Sequence, residues 1–138
     1  MNGNLESARK FFDACETGKG WGICKAYCHA DSTFSAQAHA LEEISTLEGY
    51  CEWMQAISTT MPDANYDLRF FGADESGDSV AVVAVFKGTH TGEGGPVPPT
   101  GKAVASDYAY HMFFDGGRIR HMTKVWNDEI ALRQAGWA

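Results

Sequence analysis

The 138-residue sequence predicts an α+β fold, with helices packed on one face of a sheet built largely from antiparallel strands. Two observations carry that reading. The apolar period is about 3.6 residues before Pro62 and about 2 after it, and a Gly116-Gly117 turn joins two long alternating segments near the C-terminus. Helices come first, strands last, and no internal repeat interrupts the order, which is unlike the regular alternation of a parallel α/β sheet.

Each element follows from its own pattern. Leu5, Ala8, Phe11, Phe12 and Cys15 share a helix face, so a first helix runs from an Asn4 cap to about Glu16 and stops at Gly18 and Gly20. Trp21 to Cys28 reads as a short second helix, and Ser32 to Ala36 as a short strand. Thr46 precedes a third helix in which Leu47, Tyr50, Cys51, Met54 and Ile57 face one way, with Pro62 beyond its end. Tyr66, Leu68 and Phe70 alternate with Asp67 and Arg69, and Val80 to Phe86 is apolar on both faces, as in a central strand. Gly88 to Gly101 holds five glycines and three of the four prolines, so it is a loop, with a mobile tip expected at Glu93 to Gly95. Ala103 to Phe114 and Arg118 to Asn127 complete the sheet, and Glu129 to Gln134 forms a closing helix.

Composition narrows the function classes. A hydrophobic content of 44% over this length fits one domain spanning residues 1–138. The net charge of −7 and pI near 5.1 oppose binding to a phosphate backbone, so nucleic acid is not an expected partner. The N-terminal residues lack the basic and apolar stretches of a signal peptide, and no apolar run approaches a membrane span, so a cytoplasmic protein without a membrane partner is expected. Cys15, Cys24, Cys28 and Cys51 lack the second ligand pair of a zinc site and read as reduced, buried thiols, so no metal is expected.

The last hairpin sets which side chains share a face. A three-residue Asp115-Gly116-Gly117 loop would set Phe114 opposite Arg118, Met112 opposite Arg120, His111 opposite His121, Ala109 opposite Thr123 and Asp107 opposite Val125. A two-residue Gly116-Gly117 loop would separate the histidines. In the first register one face carries Asp107, Ala109, His111, Phe113, Ile119, His121, Thr123, Val125 and Asn127 and is expected to look toward the helices. The other, with Tyr108, Tyr110, Met112, Phe114, Arg120, Met122, Lys124 and Trp126, is an aromatic and amphipathic set too apolar for water and is expected to form a homodimer interface.

The segments FKGTHTGEGGPVPPTGK and FFDGGRIRHMTKVWNDEIALRQAGW resemble the pattern of SnoaL-like polyketide and ester cyclases, within the nuclear-transport-factor-2-like superfamily. The resemblance is tight over roughly the last 50 residues. It implies a cone-shaped α+β barrel: a curved sheet wrapped around N-terminal helices, enclosing a conical pocket for a small-molecule ligand, commonly in a homodimer associated through the sheet. It also implies an acid/base aspartate on the last strand, where this sequence has Asn127 followed by Asp128. An amide cannot take a proton, and Asp128 reaches the pocket only if a bulge or the strand end turns it inward.

The candidate catalytic residues are therefore His111 and His121 as a proton-transfer pair, with Asp107, Asn127 and Asp128 as positioning or acid/base groups. His90 starts the glycine loop, Thr123 and Phe113 share the histidine face, and Tyr50 and Trp53 lie on the third helix. These five are the candidate ligand contacts, although aromatics at helical spacing, as Tyr50 and Trp53 are, more often form a core than a ligand platform. No motif calls for a cofactor: the sequence has no phosphate loop, dinucleotide fingerprint or nucleophile elbow. The expectation is a small enzyme of the cyclase, isomerase or hydrolase kind acting on a hydrophobic, oxygen-bearing molecule, or else a non-catalytic ligand-binding or dimerisation domain of the same fold.

Overall fold

The computed structural model describes residues 3–138. Helix α1 spans Gly3–Glu16, α2 Trp21–Cys24, α3 Leu47–Thr60 and α4 Asp128–Ala135, with single 3₁₀ turns at Lys25–Tyr27 and His39–Leu41. The strands are β1 (Cys28–Ala36), β2 (Asn65–Ala73), β3 (Ser79–Thr89), β4 (Ala103–Asp115) and β5 (Arg118–Trp126). They form one five-stranded sheet in the order β1-β5-β4-β3-β2, in which only β1 and β5 run parallel. The sheet is curved but open: β1 and β2 remain its two edges, so the expected barrel does not close.

Local signals hold at most boundaries. Thr46 caps α3, its hydroxyl accepting from Gly49 N at 3.0 Å. Asn4 instead lies inside the first turn of α1 and its amide donates to Gly77 O at 2.9 Å, so its side chain ties the helix to the β2–β3 turn. Cys28 begins β1 rather than ending α2.

The β4–β5 hairpin differs from the expected register. Asp115 pairs with Arg118, so the loop has two residues, Gly116 and Gly117, with φ of 64° and 84°. Both angles are in the left-handed region that a tight primed turn requires. Phe114 pairs with Ile119 but Phe113 with His121, which makes Arg120 an extra, bulged residue. The bulge shifts the pairing by one residue, turning Ile119 inward while Asp107, Ala109, His111 and Phe113 still share a face with His121, Thr123 and Val125. His111 then pairs with Thr123 and His121 with Phe113, so the histidines are diagonal neighbours.

The two faces are also exchanged relative to expectation. Tyr108, Tyr110, Met112, Phe114, Met122 and Lys124 are buried beneath the helices, whereas the histidine face is the outer one. The physical reason is the hydrophobic effect: helices cover the more apolar of two sheet faces, and the tyrosine and methionine face has the larger apolar area to remove from water. Phe11, Phe12, Leu47, Tyr50 and Met54 from α1 and α3 complete that core. Phe12 meets Tyr110 edge-on at 5.8 Å, and Phe34 of β1 stacks on Tyr50 at 4.4 Å.

Candidate active site

The inner sheet face and the helices enclose a cavity whose deep end is polar and whose walls are apolar. It offers about 50 Å³ to the centres of water molecules, room for a few of them or for a small organic group. Trp53 and Ile57 of α3, Leu132 of α4 and Trp137 form a half-buried rim. Glu16, Tyr108 and Lys124 line the interior and are each at most 5% exposed.

Four side chains from four elements join into one hydrogen-bonded chain below this space. Lys124 Nζ of β5 donates to Tyr50 Oη of α3 at 2.8 Å, Tyr50 donates to Tyr110 Oη of β4, and Tyr110 donates to Glu16 Oε2 of α1 at 2.5 Å. The donor direction is fixed throughout, because Tyr110 has a single hydroxyl proton and gives it to the carboxylate. Tyr108 Oη is buried and has no partner at good hydrogen-bond geometry among the described residues, although it lies close enough to Glu16 to favour the carboxylate, so its hydroxyl can turn to whatever occupies the cavity.

Burial tunes each end of the chain. It raises the Glu16 pKa above its ordinary 4.5, against the pull of Lys124 and the tyrosine hydroxyls. It lowers Lys124 from 10.5 to about 8, with Glu16 and Cys15 opposing the shift. The tyrosines are driven up, again chiefly by burial, and stay protonated. Around Lys124 Nζ stand five rings: Trp126 at 4.2 Å from its centroid, Tyr50 at 5.0 Å, Tyr108 at 5.3 Å, Trp53 at 5.5 Å and Tyr110 at 5.8 Å. Their π faces favour the ammonium and so act in the same direction as Glu16.

The residues expected to form the site are distributed differently. His111 is exposed on the outer face, its Nε2 paired with Ser79 Oγ at 2.9 Å. His121 bonds Thr33 Oγ1 at 2.7 Å, Ser35 Oγ at 3.0 Å and Thr123 Oγ1 at 3.1 Å, all on the same outer side. Asp107, Phe113 and Asn127 are likewise exposed away from the cavity, and Asn127 caps α4. Asp128 accepts from Ala40 N at 2.7 Å and ties the start of α4 to the 3₁₀ turn. Of the ten candidates, only Tyr50 and Trp53 belong to the cavity and its hydrogen-bonded chain.

His90 is wholly buried rather than poised over the opening. Its Nδ1 accepts from Trp137 Nε1 at 2.9 Å and from Thr100 N at 3.3 Å, which latches the glycine loop to the C-terminus. Trp137 reaches it because Gly136, with φ of 78°, ends α4 in the left-handed region and lets Trp137 N donate back to Leu132 O.

The family model for SnoaL-like polyketide cyclases matches residues 6–135. The chain belongs to this family. No curated protein matches it. Among solved structures, AclR from Streptomyces galilaeus is 18% identical, with a TM-score of 0.78 over 98% of this chain and 85% of AclR. IdmH from Streptomyces antibioticus is 21% identical, with a TM-score of 0.76 over 96% of this chain and 98% of IdmH. TerC, co-crystallised with polyporic acid, is 12% identical, with a TM-score of 0.73 over 97% and 98% of the two chains. At such identities these likenesses establish the SnoaL-like fold. Among the described residues of this family member, no helix is long and apolar enough to cross a membrane, and no group of three or more His, Cys, Asp or Glu side chains is arranged to hold a metal.

Glu16 and Lys124 escaped sequence reasoning for different reasons. Glu16 closes a helix and looks solvated in sequence, while Lys124 interrupts the run Met122-x-Lys124-x-Trp126 on an apolar face. That interruption was the available signal: a charge at an inward strand position is rare unless it has a partner.

Proposed function

We propose that this SnoaL-like protein is a small acid/base enzyme of the cyclase or isomerase kind, acting on an apolar, carbonyl-bearing molecule within the inner cavity. The observation that carries the reading is the chain Lys124–Tyr50–Tyr110–Glu16, which joins the cavity's ammonium and its carboxylate through two hydroxyls. Three short proton shifts along it convert ammonium and carboxylate into amine and carboxylic acid, so a base and an acid are available without exchange with bulk water. Glu16 would remove a proton beside the substrate carbonyl, while Tyr108 and Lys124 hydrogen-bond the oxygen on which negative charge develops. Trp53, Trp126 and Trp137 suit a flat apolar body outside that polar end. TerC, a neighbour in fold, was co-crystallised with polyporic acid, which is consistent with a small-molecule ligand here.

The test is exchange of the benzylic protons of 1-phenylpropan-2-one in D₂O, followed by proton NMR. The protein should accelerate exchange over buffer, and Glu16→Gln should remove the acceleration. Equal rates with and without protein would overturn the reading.

We also infer a homodimer, formed through the outer sheet face rather than the face expected from sequence. Val83, Phe113 and Val125 leave 40, 41 and 68% of their surfaces in water on adjacent strands, and Phe70 of β2 adds 55%. Four unpaired buried thiols, Cys15, Cys24, Cys28 and Cys51, support work in a reducing compartment such as the cytoplasm.

A further inference from the structure

Lys124 has features that proton transfer alone does not use. Its Nζ makes one hydrogen bond, to Tyr50, although an ammonium carries three donors, and the remaining positions face aromatic rings and the cavity. No carboxylate lies within ion-pair distance of it among the described residues. The groups that set its charge are Glu16 from α1, Cys15 beside it, Tyr50 from α3, and Tyr108 and Tyr110 from β4. A buried primary amine among aromatic rings, connected by hydroxyls to a carboxyl group that can receive its proton, is the arrangement carbonyl addition needs.

We propose that Lys124 is a covalent nucleophile that forms an imine with an aldehyde or ketone carbonyl of the substrate. The proposal rests on the acid/base reading above and extends it. The neutral amine adds to the carbonyl carbon and forms the C–N bond, and a proton transfer from nitrogen to oxygen gives a neutral carbinolamine. The protonated Glu16 carboxyl supplies a proton to the carbinolamine hydroxyl, directly or through Tyr110 and Tyr50, and water leaves, giving a protonated imine and a Glu16 carboxylate. Glu16 then removes the neighbouring C–H proton to give an enamine. The enamine carbon can attack a second carbonyl of the same molecule, forming a C–C bond and closing a ring as that carbonyl's π bond breaks, and the new alkoxide takes the proton held by Glu16, which returns to carboxylate. Water adds back to the resulting iminium and gives a proton to the Glu16 carboxylate, the hydroxyl proton of the carbinolamine moves to nitrogen as the carbonyl re-forms and the C–N bond breaks, and Lys124 is restored as a neutral amine beside a protonated Glu16. No oxidant or reductant enters the cycle.

The experiment incubates the protein with propanal, small enough for the cavity, and sodium cyanoborohydride at pH 7, then maps the modified lysines by peptide mass spectrometry. The depressed basicity of Lys124 leaves about a tenth of it as free amine at pH 7, against roughly one part in a few thousand for a lysine free in water. Selective propylation of Lys124, at least tenfold faster than any exposed lysine and blocked in Lys124→Arg, is expected. Circular dichroism checks that the variant is folded, and the wild-type map decides the matter even if it is not. Propylation confined to exposed lysines overturns the imine. Because phenylpropanone exchange is measured separately, exchange without a Lys124 adduct refutes only the covalent step, whereas an adduct without exchange supports the nucleophile and refutes the proton-transfer reading.

Discussion

Lys124 donates to the hydroxyl of Tyr50 at 2.8 Å and lies 5.0 Å from the centroid of the same ring. One side chain thus supplies the ammonium with both an acceptor and a π face. Tyr50→Phe keeps the ring and breaks the proton path at its middle. Proton exchange of phenylpropanone should fall by roughly 10- to 100-fold, and near-ultraviolet circular dichroism should show retained packing.

Glu16→Gln keeps an oxygen to accept from Tyr110 but cannot take a proton. The loss of a positioned base is worth about 10²- to 10⁴-fold in rate. Stability should hold or rise, because the variant no longer buries a carboxyl group that burial holds above its ordinary pKa. Unfolding in urea measures the second effect, and NMR exchange the first.

Stability should depend on pH in two opposing windows. The raised Glu16 pKa means that the folded state binds more proton than the unfolded one above about pH 4.5, so this contribution is lost as pH rises through the folded value. Lys124 is lowered to about 8 from 10.5, so its contribution is complete above pH 10.5 and is lost as pH falls through about 8. The second window amounts to roughly 3 kcal/mol and should be absent in Lys124→Met, as urea midpoints measured from pH 7 to 10.5 would reveal.

Val125→Glu places a charge at the centre of the exposed apolar face of β5. Light scattering should give a dimer mass for the wild type and a mass near 15.1 kDa for the variant. A monomeric wild type would rule out association through this face.

The outer histidines should be dispensable for chemistry. His111→Phe loses one hydrogen bond to Ser79 and His121→Gln weakens the hydroxyl cluster around Thr33 and Ser35, yet neither touches the cavity. Phenylpropanone exchange should be unchanged within about twofold in both variants.

How far the sequence could be read is visible in the hairpin. Alternation correctly grouped Tyr108, Tyr110, Met112, Lys124 and Trp126 on one face, since a period of two survives any register that preserves parity. The shorter loop and the Arg120 bulge each shift the pairing by one residue in the same direction, and the two shifts together restore parity, so beyond the bulge the grouping held while the pairing of His111 did not. Which face turned inward depended on comparing apolar area, and the presence of titratable groups on the outer face was the weaker guide. Glu16 could not be found by local pattern, because its role comes from a helix end meeting two strands and another helix, contacts separated by 94 residues in the case of Tyr110.

Three of the four tryptophans, Trp53, Trp126 and Trp137, line the same cavity, and Trp126 lies 4.2 Å from the Lys124 ammonium. Indole emission is sensitive to a neighbouring charge and to displaced water. The natural fluorescence of this chain is therefore concentrated where a ligand would sit, and a library of unlabelled carbonyl compounds can be screened by emission alone before any reaction is known.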